Sequence, residues 1–423
     1  MSHDPAQTES ASDSAPNPAS NPASSPPRPL EGVRVLELGQ LLAGPFTATL
    51  LGYYGAEVIK VEPPEAGDPI RSWRVMDGDT SCWWHSIARN KKCVTLDLRT
   101  ERGRELARRL ALECDVLVEN FRPGTLEKWG LGPDALREKN PRLICARISG
   151  YGQTGPNSEL PGYASVCEGF GGLRYVTGMP GERPMRSNLS LGDSLAGLHA
   201  CLGVLLALFQ RTRDGRGQDV DIGIFEAVYN MMEATVPEYD RRGAVREPSG
   251  STITGIVPTN TYRCRDGAFV IIGGNGDSIF RRLMRTAGRP DLADDPRLER
   301  NEGRVEHEAE IDRALAEWAS TVSAPEALAA LRAAAVPAGP IYSVVDMMSD
   351  PQYRARGLFE EHRVGGQPLK IPALVPRLSA TPGRTEWTGP RLGAHNREIL
   401  GGRLGLSDAE LDALRAEGVI REA

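Results

Sequence analysis

The feature that most constrains this chain is the alternation of short aliphatic runs with helix-length stretches between residues 33 and 152. "VRVLEL" (33–38), "AEVIKVE" (56–62), "KKCVTLDL" (91–98), "DVLVENF" (115–121) and "LICARISGYG" (143–152) are rich in branched apolar residues and have strand length. Between them, "LLAGPFTATLLGYYG" (41–55), "ERGRELARRLALEC" (101–114) and "GPDALREKN" (132–140) read as helices. Such a succession predicts an α/β fold with a doubly wound parallel sheet, helices on both faces, and ligands at the carboxyl ends of the strands. The first βα turn reads "GQLLAGP" and lacks the G-x-G-x-x-G fingerprint, and no P-loop pattern is present. The architecture therefore does not by itself point to a dinucleotide or a nucleoside triphosphate.

A second signal lies in "LSLGDSLAGLHACLGVLLALFQRTRDGRGQ" (189–218), whose middle predicts a helix apolar nearly all round and hence buried. Its first turn carries one acid, Asp193. An aspartate there has two readings. It is a cap satisfying orphan N–H groups, or it is a catalytic carboxylate kept ionised by the helix start. A strand (219–225), a helix (226–239) and an aperiodic Gly/Ser/Thr/Pro loop (246–258) follow. A hairpin at 262–276 with its turn at Arg265–Gly267 and three amphipathic helices then predict a small α+β domain. The chain is expected to divide into a disordered tail (1–28), the first part of a large domain (29–225), a linker and loop (226–258), the small domain (259–335), and a return segment completing the large domain (336–423). Ser407 and Glu410 open the last helix as a capping box.

Composition narrows the function classes. With a net charge of −6, no nucleic-acid footprint is expected. The seven cysteines form no C-x-x-C pair, and the six histidines have no ligand spacing. This predicts reduced thiols in a cytoplasm and no metal site. The Ser/Pro/Ala-rich stretch 1–28 has neither an apolar h-region nor an Arg-rich amphipathic pattern, so no targeting segment is expected. His199 and Gly203 interrupt the apolar helix, and no membrane association is expected.

The order of seven motifs goes further: "LLAGPFTATLLGYYGAEVIKVEPPEAGDPIR", "RNKKCVTLDL", "VLVENFRPGTLEKWGL", "NPRLICARISGYGQTGP", "LGDSLAG", "GRGQDVDIGIFEA" and "VPAGPI". Over about residues 29–420 the chain resembles the class III CoA-transferases, which include formyl-CoA transferase, carnitine CoA-transferase and the alpha-methylacyl-CoA racemases. The resemblance implies a Rossmann-like large domain and an interlocked homodimer. It also implies CoA thioesters as substrates without a permanently bound cofactor, and Asp193 as a nucleophile forming anhydride and aspartyl-CoA intermediates. Arg71, a cation following "AGDP", is expected to meet the CoA phosphates; by the same resemblance Arg89, Lys92, Arg122, Lys128 and Trp129 are expected at CoA, the last two at its adenine. Gln40, Leu42, Tyr163 and Gly255 are expected at the acyl site, with Gly255 in a closing loop. Leu42 stands where formyl-CoA transferase has a glutamine, which counts against formate or oxalate. Tyr163 and Ala164 stand where the racemases have a His-Asp pair, which makes racemase the alternative to transferase; a CoA-binding protein without catalysis is the other alternative. The stretch "PGYASVCEG…RSNLSLGDSLAG" looks most like the branch using succinyl-CoA and dicarboxylates such as malate, citramalate or a glutarate. Arg186, seven residues before Asp193, is expected to hold a second carboxylate.

Overall fold

The computed structural model describes residues 27–422, so most of the expected tail lies outside the described residues. Six parallel strands form the central sheet: β1 (Arg34–Glu37), β2 (Glu57–Glu62), β3 (Lys91–Thr95), β4 (Val116–Glu119), β5 (Ile144–Ser149) and β6 (Asp219–Gly223). Their spatial order is β3-β2-β1-β4-β5-β6, all pairs parallel. The order reverses direction between β1 and β4, and a crevice opens beyond the carboxyl ends of strands at such a point.

Both faces are covered, as the near-continuous apolar strands require. On one, α1 (Ala43–Tyr53) and α4 (Leu191–Asp214) bring Ala48, Leu51, Val204 and Ala207 onto Val35, Val58, Val116 and Ile144. On the other, α2 (Glu101–Leu112) and α9 (Asp408–Ala416) bring Leu106, Leu110, Leu411 and Leu414 onto Leu36, Ile59, Val94 and Leu117. Leu110 is wholly buried, and truncating it to alanine costs about 2–5 kcal/mol. The edge strand β3 is closed by the returning chain. Cys93 N–H donates to His395 Nδ1 at 3.1 Å and Thr95 N–H to Asn396 Oδ1 at 2.9 Å. Ser407 and Glu410 form the expected capping box.

The small domain has a three-stranded antiparallel sheet, β7 (Thr259–Arg263), β8 (Phe269–Gly273) and β9 (Ala338–Pro340), with β8 central. It packs against α6 (Asp277–Thr286), α7 (Glu308–Thr321) and α8 (Ala324–Ala333) through Phe280, Leu283, Ile311, Leu315 and Leu331. Pairing of β9 with β8 carries this unit past residue 335, where "VPAGPI" reads as a connection. The helix expected over 226–239 breaks in two, into α5 (Ile224–Tyr229) and a separate helix Thr235–Arg242.

Helix α4 departs most from expectation. It is long and apolar enough to cross a membrane by length and composition, yet Ala196, Ala200, Val204 and Ala207 are buried in the protein. Close packing needs its small residues: a Cβ on Gly197 would stand 3.0 Å from the Ala43 carbonyl oxygen. The other face is open, with Leu202 at 55%, Leu206 at 60% and Phe209 at 60% exposure. Within this chain the helix is therefore two-faced, and the reading of an all-round buried helix does not hold.

Candidate active site

At the reversal of strand order, the residues after β1 and β4 diverge and leave a crevice of about 230 Å³. Gln40, Leu42, Asn120, Ser149, Tyr163 and Asp193 are among its lining residues. The loop after β1 is held at several points. Gln40 N–H donates to Asn120 Oδ1 and Asn120 Nδ2 donates to the Gln40 carbonyl, both at 2.8 Å. Leu41 adopts a left-handed φ of 65°, unfavourable for a residue with a Cβ, and its N–H donates to the buried Asp68 carboxylate at 3.1 Å.

That loop rests on a buried charge network. Lys60 Nζ lies 2.7 Å from Glu37 and 2.9 Å from Asp68, and Lys91 Nζ lies 2.8 Å from Glu37. Burial alone would push the Lys60 ammonium down, but Asp68 and Glu37 outweigh it and hold its pKa up. For Lys91 burial prevails over Glu37, and its pKa is lowered. Breaking a pair in such a network strands a buried charge.

Asp193 is the third residue of α4, after Ser190 at the cap position, so it is not the N-cap. The role of satisfying the helix start falls partly to Glu168 of α3 (Ala164–Phe170), whose Oε1 accepts the Gly192 N–H at 3.2 Å. Glu168 is buried, and its Oε2 meets Arg174 at 3.3 Å and Arg186 at 3.4 Å. Asp193 is consequently not held below the usual range by the helix start. Burial, then the Glu168 charge, push its pKa up to about 6, with Arg186 opposing. The carboxylate is still mostly ionised at neutral pH, but weakly solvated, which suits a nucleophile.

The basic residues expected at CoA divide into two groups. Arg71 is bound to Glu62 at 2.7 and 2.8 Å and lies 3.7 Å over the Trp84 ring. Arg89 is 1% exposed and donates to Ser86 and to the Pro372 carbonyl, fastening the segment that returns from the small domain. Lys92 is paired with Glu57 at 2.9 Å and Glu398 at 2.6 Å. All three have carboxylate partners inside the chain, the one for Arg89 being Glu360 at 3.5 Å. Arg122, by contrast, is exposed on the crevice, and Lys128 is exposed on the following turn. Trp129 lies edge-on to Phe121 with centroids 5.1 Å apart and lines a second groove with Leu96, Leu98 and Arg99. Gln40 and Phe121 line both cavities, so the two are neighbours.

Of the remaining candidates, Gln40, Leu42 and Tyr163 are brought to the crevice with Asp193. Arg186 stands beside Glu168 rather than in the crevice lining. Gly255 (φ 81°) is not among the crevice residues; its carbonyl accepts Asn301 Nδ2 at 2.8 Å. Glu168, Ser149 and Arg99 were not singled out from sequence.

A family model described as CoA-transferase family III matches residues 30–396. The chain belongs to that family. It is 49% identical to succinyl-CoA–D-citramalate CoA-transferase of Chloroflexus aurantiacus, over 93% of this chain and 98% of that protein. It is 39% identical to the alpha subunit of succinyl-CoA–L-malate CoA-transferase of the same organism, over 93% of this chain and 92% of that one. Among solved structures, a CAIB/BAIF family protein from Brucella suis matches with 35% identity and a TM-score of 0.77, covering 89% of this chain and 99% of that chain. Membership establishes the enzyme class as CoA-transferase.

Proposed function

We propose that this enzyme moves CoA from succinyl-CoA or a similar dicarboxylyl-CoA to a hydroxylated dicarboxylate of the citramalate or malate type. The observation that carries the mechanism is Asp193. It is a weakly solvated carboxylate in the first turn of a long helix, lining the crevice at the sheet's reversal point. A carboxylate oxygen attacks the thioester carbon, the C–S bond breaks, and a mixed anhydride and CoA thiolate form. The thiolate attacks the aspartyl carbonyl and releases the donor acid, leaving an aspartyl-CoA thioester. The acceptor carboxylate attacks that thioester, giving a second anhydride, and the thiolate then takes the new acyl group and frees Asp193. Each step exchanges a carboxylate for CoA thiolate, or the reverse, at one acyl carbon, so no net proton or electron is required.

The pantetheine arm runs from the crevice past Gln40 and Phe121, with the nucleotide against Trp129, Lys128 and Arg99. Arg122 meets anionic substrate at the rim. The substrate assignment is supported by the relatives' citramalate and malate activities. Tyr163 and the buried Ala164 offer no second base opposite Asp193, which disfavours racemisation. We assign the working form to a homodimer, supported by the open apolar face of α4, and its place to the cytoplasm, supported by seven unpaired cysteines. The test is trapping. Enzyme incubated with succinyl-CoA and hydroxylamine should gain a hydroxamate at Asp193, detected by peptide mass spectrometry, and Asp193→Asn should gain none. Turnover with Asp193 never labelled would refute the mechanism.

A further inference from the structure

Ser149 is the last residue of β5 and lines the crevice that contains Asp193. The residue is 7% exposed, and its hydroxyl oxygen is buried with no hydrogen-bond partner among the described residues. Buried polar atoms in folded proteins are almost always paired, and a lone one at a binding site calls for a ligand group to complete it. The hydroxyl does not serve the nucleophile, since the charge on Asp193 is set by burial, Glu168 and Arg186, with no hydrogen bond from Ser149. A serine hydroxyl donates one hydrogen bond and accepts others, which matches a substrate hydroxyl that does the same. Of its neighbours in the crevice, Ile148 and Leu42 are apolar and the Asn120 amide is bound to Gln40, whereas Gln40, Arg122 and Tyr163 bring further polar groups.

We propose that Ser149 hydrogen-bonds the hydroxyl of the acceptor dicarboxylate and thereby selects hydroxylated acceptors over their deoxy counterparts. This rests on the dicarboxylate reading above and adds the residue that discriminates within that class. A site built to pair a substrate hydroxyl penalises the analogue that lacks it, because the buried protein group is left unpaired.

The experiment compares Ser149→Ala with the unmodified enzyme on a matched pair, citramalate and methylsuccinate, which share a carbon skeleton and differ by the hydroxyl. Succinyl-CoA is the donor throughout. The unmodified enzyme should favour citramalate in kcat/KM. Ser149→Ala should lose about tenfold on citramalate, mainly in KM, while methylsuccinate stays within about twofold. The methylsuccinate rate is also the folding control, measured on the same preparation. An equal loss on both acceptors, or no loss on citramalate, overturns the proposal. If the unmodified enzyme turns over neither acid, the dicarboxylate reading itself falls, an outcome distinct from an unchanged ratio in a working enzyme.

Discussion

Replacing Asp193 by asparagine should abolish transfer and stabilise the folded protein, with a pH dependence that follows from its surroundings. Burial and Glu168 raise this carboxyl from 3.8 to about 6. That displacement corresponds to about 3 kcal/mol against the charged form in the folded state. Between about pH 4 and 6 the folded chain holds a proton the unfolded chain has released. Wild-type stability therefore falls as pH rises through that window and this contribution is constant above it. Asparagine has the same shape and no charge, so the variant lacks that loss. Its advantage should be near zero at pH 4 and reach up to about 3 kcal/mol by pH 7. The assay is thermal or urea denaturation of both proteins at one fixed concentration across pH 4–8. In the active enzyme the same group should set the acid limb of kcat/KM near pH 6. Glu168→Gln should move that limb to lower pH, since it removes a neighbouring negative charge. If Asp193→Asn shows no advantage at pH 7, or an equal one at pH 4, and the acid limb lies near pH 4, then Asp193 is not the desolvated carboxylate described.

Arg186→Met should raise the acid limb, because Arg186 opposes the upward shift of Asp193; an unchanged limb in a pH-rate series would show that its charge does not act on that carboxylate. Lys60→Met should destabilise the fold by about 3–5 kcal/mol, because Glu37 and Asp68 lose a buried partner, and denaturant titration would expose the reasoning if the loss were under 1 kcal/mol. Lys128→Ala with Arg99→Ala should instead leave the unfolding midpoint nearly unchanged and weaken CoA binding in calorimetry, more at low salt than at high; a salt-independent effect would mean that neither cation meets a phosphate. Leu206→Glu should dissociate the proposed homodimer in light scattering, and a wild-type-like assembly would show that the open face of α4 is not the contact.

The sheet was legible because strand length, aliphatic density and intervening helices constrain one another, and the first five strands lie within the runs that indicated them. The open face of α4 was not. Composition shows that Leu202, Leu206 and Phe209 avoid water but not whether the same chain or another covers them. The break in the 226–239 segment was also hidden, since Pro237 stands inside the second helix rather than at the interruption. The pairing of the charged motifs was hidden for a related reason. "ARNKK" has the look of a solvated basic turn, but Lys91 shares a strand face with the buried Cys93. Glu37 and Lys60 are register partners across β1 and β2, with Cys93 next in line on β3. Parallel register is a tertiary property, so a buried lysine cannot be told from a phosphate ligand until the strands are aligned.

Asp193 was legible as special, but the capping half of its two readings falls in part to another carboxylate. Glu168, 24 residues upstream of Gly192, takes the Gly192 N–H. No local pattern marks it, because its partner lies on another helix. Its position has a chemical consequence. Had Asp193 been the cap, its oxygens would accept the helix N–H groups, lowering both its pKa and its nucleophilicity. With Glu168 meeting the helix start and paired with Arg174 and Arg186, Asp193 remains poorly solvated and close to a second negative charge. Acylation removes its charge and relieves that repulsion. The same arrangement that raises its pKa thus favours the covalent states proposed here, at the expense of stability at neutral pH.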